Sequence, residues 1–205
     1  MKHLPNILTG GRLALALFMF IAVALAVGGF PPISDRLTPE AQFSLQRFAV
    51  IAFFVAGITD FFDGWLARKL NATSLWGAIL DPIGDKVLVC GAILALMAMN
   101  VNPTTYLPCA LILFREFTVS ALREVSAAKG VSLPVTVLAK WKTTLQIVAI
   151  GCELVVVSWS AFGLPPELQS GATYAADVML WIATTVTVIT GAQYWEAARV
   201  KLMEL

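Results

Sequence analysis

An all-α integral membrane protein of six transmembrane helices, with both termini cytoplasmic, is the architecture this sequence predicts, and three observations predict it. The first is composition: 59% of the 205 residues are hydrophobic and 13% are charged, about half the charge of an average soluble domain. With a mean hydropathy of +0.81, the apolar surplus exceeds what one small core can bury, so lipid must cover much of it. The second is six long apolar runs broken by Pro, Gly and polar clusters, near 7–29, 44–69, 76–99, 106–128, 135–159 and 173–197. The third is the placement of Lys and Arg along the chain.

The first run follows Lys2 and spans Arg12 and the stretch Leu13 to Val27. A secretory signal peptide has a similar outline, but five further runs follow, and the polar start Leu4-Pro5-Asn6-Ile7-Leu8-Thr9 favours a retained helix. The connection from Phe30 to Phe43 carries three prolines, and the later ones, near 71–74, 100–105, 130–134 and 160–171, are short. With no long linker, low-complexity tract or repeat, residues 1–205 form one domain. Lys2, Arg12, Arg68, Lys69, Lys86, Arg123, Lys129, Lys140, Lys142, Arg199 and Lys201 fall at or near one side of these spans, and only Arg36 and Arg47 at the other. The positive-inside rule makes the richer side cytoplasmic.

Several classes are excluded. A net charge of +1 argues against a nucleic-acid partner. Cys90, Cys109 and Cys152 are odd in number, lie in apolar stretches and lack knuckle or redox-pair spacing, so they read as small apolar side chains. His3 is the only histidine, which excludes a histidine metal site and Ser-His-Asp catalysis.

The chemistry concentrates in residues 60–86. Asp60 and Asp63 are three apart and Asp81 and Asp85 four apart, so each pair shares a helix face. Asp60 and Asp85 are equally far from a turn near residue 72 to within a residue, as are Asp63 and Asp81. In an antiparallel hairpin all four carboxylates reach a similar depth, roughly 13–18 Å along the helices from the turn. Four bare aspartates near mid-membrane would cost on the order of 10 kcal/mol on insertion scales. A wet cavity with bound cations removes most of that cost. Four carboxylates match the charge of two divalent ions, and an all-oxygen donor set suits Mg²⁺ or Mn²⁺ rather than Zn²⁺.

Gly64, Gly77 and Gly84 stand beside the acids. They either let a bulky ligand approach the backbone or let helices pack closely; a ligand role is the reading for Gly64 and Gly77, and Gly84 stays open. Pro82 distorts the helix beside Asp81. Arg68 is either a phosphate contact or an ordinary positive-inside residue.

The pattern Asp-x2-Asp-Gly-x2-Ala-Arg-x8-Gly-x3-Asp-x3-Asp over residues 60–85 resembles the signature of the CDP-alcohol phosphotransferases, with eight fixed positions and no gap. The resemblance implies that Asp60, Asp63, Asp81 and Asp85 hold two divalent cations that clamp the pyrophosphate of a CDP-linked lipid, with Asp85 also the base. It implies that Gly64, Arg68 and Gly77 hold the CDP. It also implies a fold of six transmembrane helices and a homodimer. Asn6, Thr9 and Arg12, where the first helix enters the membrane, are candidate contacts to the cytidine of the CDP-lipid or to the acceptor, with Asn6 and Thr9 assigned to the CDP-lipid; Thr9 alternatively caps the helix.

A second constellation lies around a turn near 130–134: Arg115-Glu116, Arg123-Glu124, Lys140 and Lys142. Arg123 and Lys140 are nearly equidistant from the turn, and Arg115 lies about 12 Å deeper than Arg123 along the helix. Positive-inside bias with ion pairs to Glu116 and Glu124 accounts for Lys129, leaves Lys142 open and accounts poorly for Arg115. Arg115, Arg123, Lys140 and Lys142 therefore read as a pocket for an acceptor's phosphate. Leu4 to Thr9 with Arg12, Arg115-Glu116, Ser120 to Glu124 and Lys140 to Gln146 resemble the phosphatidylglycerophosphate synthases of the same family. That resemblance covers most of residues 4–146; the remainder matches in hydropathy alone. It implies transfer of a phosphatidyl group from CDP-diacylglycerol to sn-glycerol 3-phosphate at the cytoplasmic face of the cytoplasmic membrane. Other acceptors of the same reaction class are inositol phosphate and phosphatidylglycerol. A divalent-cation transporter is the remote alternative, since a basic cavity beside the acids would repel its cargo.

Overall fold

A computed structural model describes residues 4–70, 75–99, 102–133 and 137–203; the side chains of 4–9, 60–70, 75–79, 81, 82, 85, 137, 139 and 140 lie outside that description. All regular structure among the described residues is helical: α1 Leu4–Ala26, α2 Pro31–Ser34, α3 Pro39–Leu70, α4 Leu75–Met99, α5 Pro103–Ala128, α6 Val137–Val157 and α7 Pro166–Met203, with a 3₁₀ turn at Trp159–Phe162. The six long helices coincide with the six apolar runs. α7 differs most, extending past 173–197 at both ends, because a hydropathy reading clips the polar first turns after Pro166 and the charged last turns around Arg199 and Lys201. The connection after α1 is also more regular than expected, holding α2 and the start of α3.

Helix ends follow local chemistry. Gly28, at φ +83°, closes α1 in a Schellman turn in which Gly29 N donates to Ala24 O at 2.7 Å. Gly130, at φ +72°, closes α5 the same way: its N–H donates to Ala127 O at 2.9 Å and Val131 N to Ser126 O at 2.8 Å. α5 begins at Asn102, whose side chain accepts from Thr104 N at 3.2 Å, with Pro103 in the first turn, where its missing N–H costs nothing.

Three helical stretches, Pro39–Thr59, Pro103–Ala128 and Pro166–Met203, are long and apolar enough to cross a membrane by length and composition; Gly10–Ala26 and Lys86–Met99 are shorter apolar stretches among the described residues. Large apolar side chains also face outward: Leu17, Phe18, Ile21, Ile51, Leu94, Phe114, Phe117 and Ile182 are 46–72% exposed. Helices that are apolar on buried and exposed faces alike are matched to lipid rather than water. The protein is a membrane protein.

The chain divides into two compact units, residues 1–101 with 150–173, and residues 102–149 with 174–205. In the first unit α1 packs on α3 and α4. Its interior alternates small and large side chains: Ala16, Met19 and Val23 of α1, Ala49, Phe53 and Ala56 of α3, and Leu88, Ala92, Ile93 and Leu96 of α4 are buried. Close approach depends on glycine. A Cβ on Gly91 would overlap the Phe20 ring, and one on Gly151 would stand 2.6 Å from Phe54 Cζ. In the second unit the buried stripe Thr105, Cys109, Ile112, Arg115 and Val119 of α5 accompanies Ala176, Leu180, Ala183, Thr184, Thr187, Thr190, Tyr194 and Ala198 of α7. Both stripes keep the three-and-four spacing of a single helix face.

Candidate functional site

The first unit carries the acidic signature. Asp60, Asp63, Gly64 and Arg68 lie on the C-terminal third of α3, and Gly77, Asp81 and Asp85 on the first half of α4. The two helices are consecutive in the chain and touch one another. The side chains of all seven residues, and of Asn6, Thr9 and Lys140, are outside the described set. Among the described residues no group of three His, Cys, Asp or Glu gathers to hold a metal. By chemistry alone, four carboxylates offer oxygen donors of the kind hard divalent cations such as Mg²⁺ and Mn²⁺ take.

Arg12 of α1 is buried, 3% exposed, and lies against Gly84. A Cβ at Gly84 would meet the Arg12 Cζ, Nε and Nη1 at 3.5–3.6 Å, an ordinary contact. The Cβ face of Gly84 thus lies against a guanidinium. The contact brings a permanent positive charge beside the backbone of the segment bearing Asp81 and Asp85. Glu153 of α6, 2% exposed in the same unit, went unremarked in the sequence; a lone acid in an apolar helix is the signal that finds it.

The second unit holds the basic constellation. Glu116 Oε1 accepts from Arg115 Nη1 at 3.2 Å, from Gln146 Nε2 at 3.2 Å and from Lys142 Nζ. Arg115 and Lys142 side chains are each 8% exposed and Glu116 15%, so these are desolvated ion pairs. The ion-pair account, expected to fit Arg115 poorly, thus does apply to it, and it applies to Lys142 as well. Arg123 and Glu124 are exposed. The Arg123 Cζ stands 5.3 Å from the Tyr194 ring centroid, and the Arg115 Cζ 5.8 Å from the same centroid. Two arginines of α5 therefore share one aromatic ring of α7.

Sequence reasoning missed the contribution of α7. Arg115 Nη2 donates to Thr190 Oγ1 at 3.3 Å, and Gln146 Nε2 to Thr187 Oγ1 at 2.9 Å. Gly191 completes the contact, since a Cβ there would stand 2.8 Å from Arg115 Cγ. Chemically, the cluster is a buried pair of cations on one carboxylate, with Arg123 and Glu124 exposed beside it. Counting Arg115, Arg123 and Lys142 against Glu116 and Glu124 leaves an excess of one positive charge among these described side chains.

An all-helical, apolar chain with this spacing of acids on α3 and α4 has the character of a membrane transferase. The chain belongs to the CDP-alcohol phosphatidyltransferase family, which it matches over residues 2–190. It is 38% identical over 207 residues to the CDP-diacylglycerol–glycerol-3-phosphate 3-phosphatidyltransferase of Rickettsia typhi, covering 97% of this chain and 98% of that relative. The Bacillus subtilis protein of the same name is 36% identical over 204 residues, covering 97% and 98%. The Escherichia coli one is 37% identical over 158 residues, covering 76% and 81%.

Proposed function

We propose that this protein transfers the phosphatidyl group of CDP-diacylglycerol to sn-glycerol 3-phosphate, giving phosphatidylglycerophosphate and CMP. The observation that carries the reading is the unbroken aspartate signature from Asp60 to Asp85, on the consecutive helices α3 and α4. Relatives of the same length with that activity in their names support the choice of acceptor.

In this reading Asp60, Asp63, Asp81 and Asp85 hold two divalent cations. Cations held there would supply charge neutralisation for the pyrophosphate and the departing CMP. Gly64 and Gly77 admit the donor close to the backbone, Arg68 offers it a positive charge, and Asn6 and Thr9 contact its CDP portion. Asp85 takes the proton of the acceptor hydroxyl as that oxygen bonds to the phosphatidyl phosphorus. The phosphorus–oxygen bond to CMP breaks, and CMP leaves with the bonding pair. Arg115, Arg123, Lys140 and Lys142 hold the acceptor's own phosphate, with Arg115 and Lys142 already oriented by Glu116.

The whole chain works as one domain, with six transmembrane helices, both termini on the cytoplasmic side, the active site open to the cytoplasm, and a homodimeric assembly in the cytoplasmic membrane. A lost hydrogen bond to a charged group costs roughly 1.5–3 kcal/mol, or about 10- to 150-fold in affinity. Arg123→Ala should therefore raise the KM for sn-glycerol 3-phosphate by about that factor and leave the KM for CDP-diacylglycerol unchanged. The opposite pattern would assign the basic cluster to the donor and remove the argument for a phosphorylated acceptor.

A further inference from the structure

The hydroxyls of α7 have fixed polarity. Thr187 Oγ1 donates to Ala183 O at 2.6 Å, and Thr190 Oγ1 donates to Thr187 O at 2.9 Å. A hydroxyl has a single hydrogen, so with that hydrogen committed each threonine offers only lone pairs to its surroundings. Both are fully buried, at 0% exposure, and what faces them is a donor: Arg115 Nη2 for Thr190 and Gln146 Nε2 for Thr187. Gln146 Nε2 also donates to Glu116, so its amide carries the α7 register to the carboxylate that binds Arg115 and Lys142. Gly191 lets the Arg115 stem lie against the α7 backbone, and Tyr194 places its ring between the reach of Arg115 and that of Arg123. Thr187, Thr190, Gly191 and Tyr194 lie at i, i+3, i+4 and i+7, one face of one helix.

We propose that α7, through Thr190, Gly191 and Tyr194, positions Arg115 and Arg123 as the pair that reads the acceptor's phosphate, which makes α7 a determinant of acceptor selectivity. The proposal rests on the assignment of the basic cluster to the acceptor. Arg115 and Arg123 are like charges held within 6 Å of one ring centroid, and a dianion placed near both would relieve their repulsion. An uncharged alcohol gains nothing from the arrangement. None of the three α7 residues touches substrate in this account; they act through the arginines.

The test compares Thr190→Val, Thr190→Ser, Tyr194→Leu, Tyr194→Phe and Arg123→Ala in the purified full-length protein. Initial rates would be measured against sn-glycerol 3-phosphate, plain glycerol and CDP-diacylglycerol, alongside thermal unfolding. Thr190→Val and Tyr194→Leu should raise the KM for sn-glycerol 3-phosphate about tenfold, the lower bound for a hydrogen bond to a charged group, and narrow its preference over glycerol. The donor KM and kcat should hold. Ser and Phe, which keep the lone pair and the ring, should restore the wild-type acceptor KM. If Thr190→Val and Tyr194→Leu lower the melting temperature but leave the acceptor KM alone while Arg123→Ala raises it, α7 is a structural helix and the proposal fails. Failure of Ser and Phe to restore the KM would overturn it too. If Arg123→Ala also leaves the acceptor KM alone, the acceptor-site assignment itself falls.

Discussion

Removing the charge of Glu116 offers a direct reading of the energetics of the second unit. Its Oε1 is the meeting point of Arg115, Lys142 and Gln146, and both cationic partners are 8% exposed. Glu116→Gln keeps the shape and one acceptor oxygen but leaves two desolvated cations facing a neutral amide. Breaking a buried pair by removing one partner costs about 3–5 kcal/mol, and the retained oxygen places this change near the lower end. At roughly 2–4 °C per kcal/mol for a chain of this size, the melting temperature should fall by about 6–12 °C. Far-UV circular dichroism of the protein in mild detergent would follow the transition. Lys142→Met added to Glu116→Gln should recover part of the loss, since it removes one of the stranded cations. A Glu116→Gln melting curve that superimposes on wild type would refute the idea that these pairs are buried and coupled. So would a Lys142→Met change whose cost is the same in both backgrounds.

Three further outcomes are expected. Excess chelator should abolish transfer and added Mg²⁺ or Mn²⁺ should restore it; full activity in chelator would remove metal ions from the reaction. Asp85→Asn should fold normally yet lose at least ~10²-fold in turnover, the lower limit of what a general base contributes, and near wild-type turnover would take Asp85 out of the chemistry. Gly151→Ala should destabilise by about 1–3 kcal/mol through overpacking, because the new Cβ would stand 2.6 Å from Phe54 Cζ, whereas Gly84→Ala, at 3.5 Å from Arg12 Cζ, should melt near wild type.

The six long helices were legible because runs of apolar residues report long buried or lipid-facing helices directly, and three of them are long and apolar enough to cross a membrane. Their ends were less so: α7 begins at Pro166 and runs to Met203, through polar turns that hydropathy discounts. The Asp60-to-Asp85 pattern was legible because spacing alone identifies it. The role of α7 in the second constellation was not, because Thr187 and Thr190 barely alter hydropathy and Gly191 reads as a packing glycine. Only their three-and-four spacing opposite Arg115 and Gln146 reveals them, and that needs the register between helices. Glu116 was visible as a counter-ion, but that Arg115, Lys142 and Gln146 converge on one of its oxygens depends on α5 and α6 meeting at that level.

The central claim is the reaction, and CMP release tests it most directly. Purified protein would be supplied with CDP-diacylglycerol and Mg²⁺ or Mn²⁺, and sn-glycerol 3-phosphate, inositol phosphate, phosphatidylglycerol and glycerol would be offered separately. The account predicts CMP release that depends on sn-glycerol 3-phosphate, with phosphatidylglycerophosphate appearing in equal amount and little turnover with the other three. CMP release sustained by inositol phosphate or phosphatidylglycerol but not by sn-glycerol 3-phosphate would contradict it.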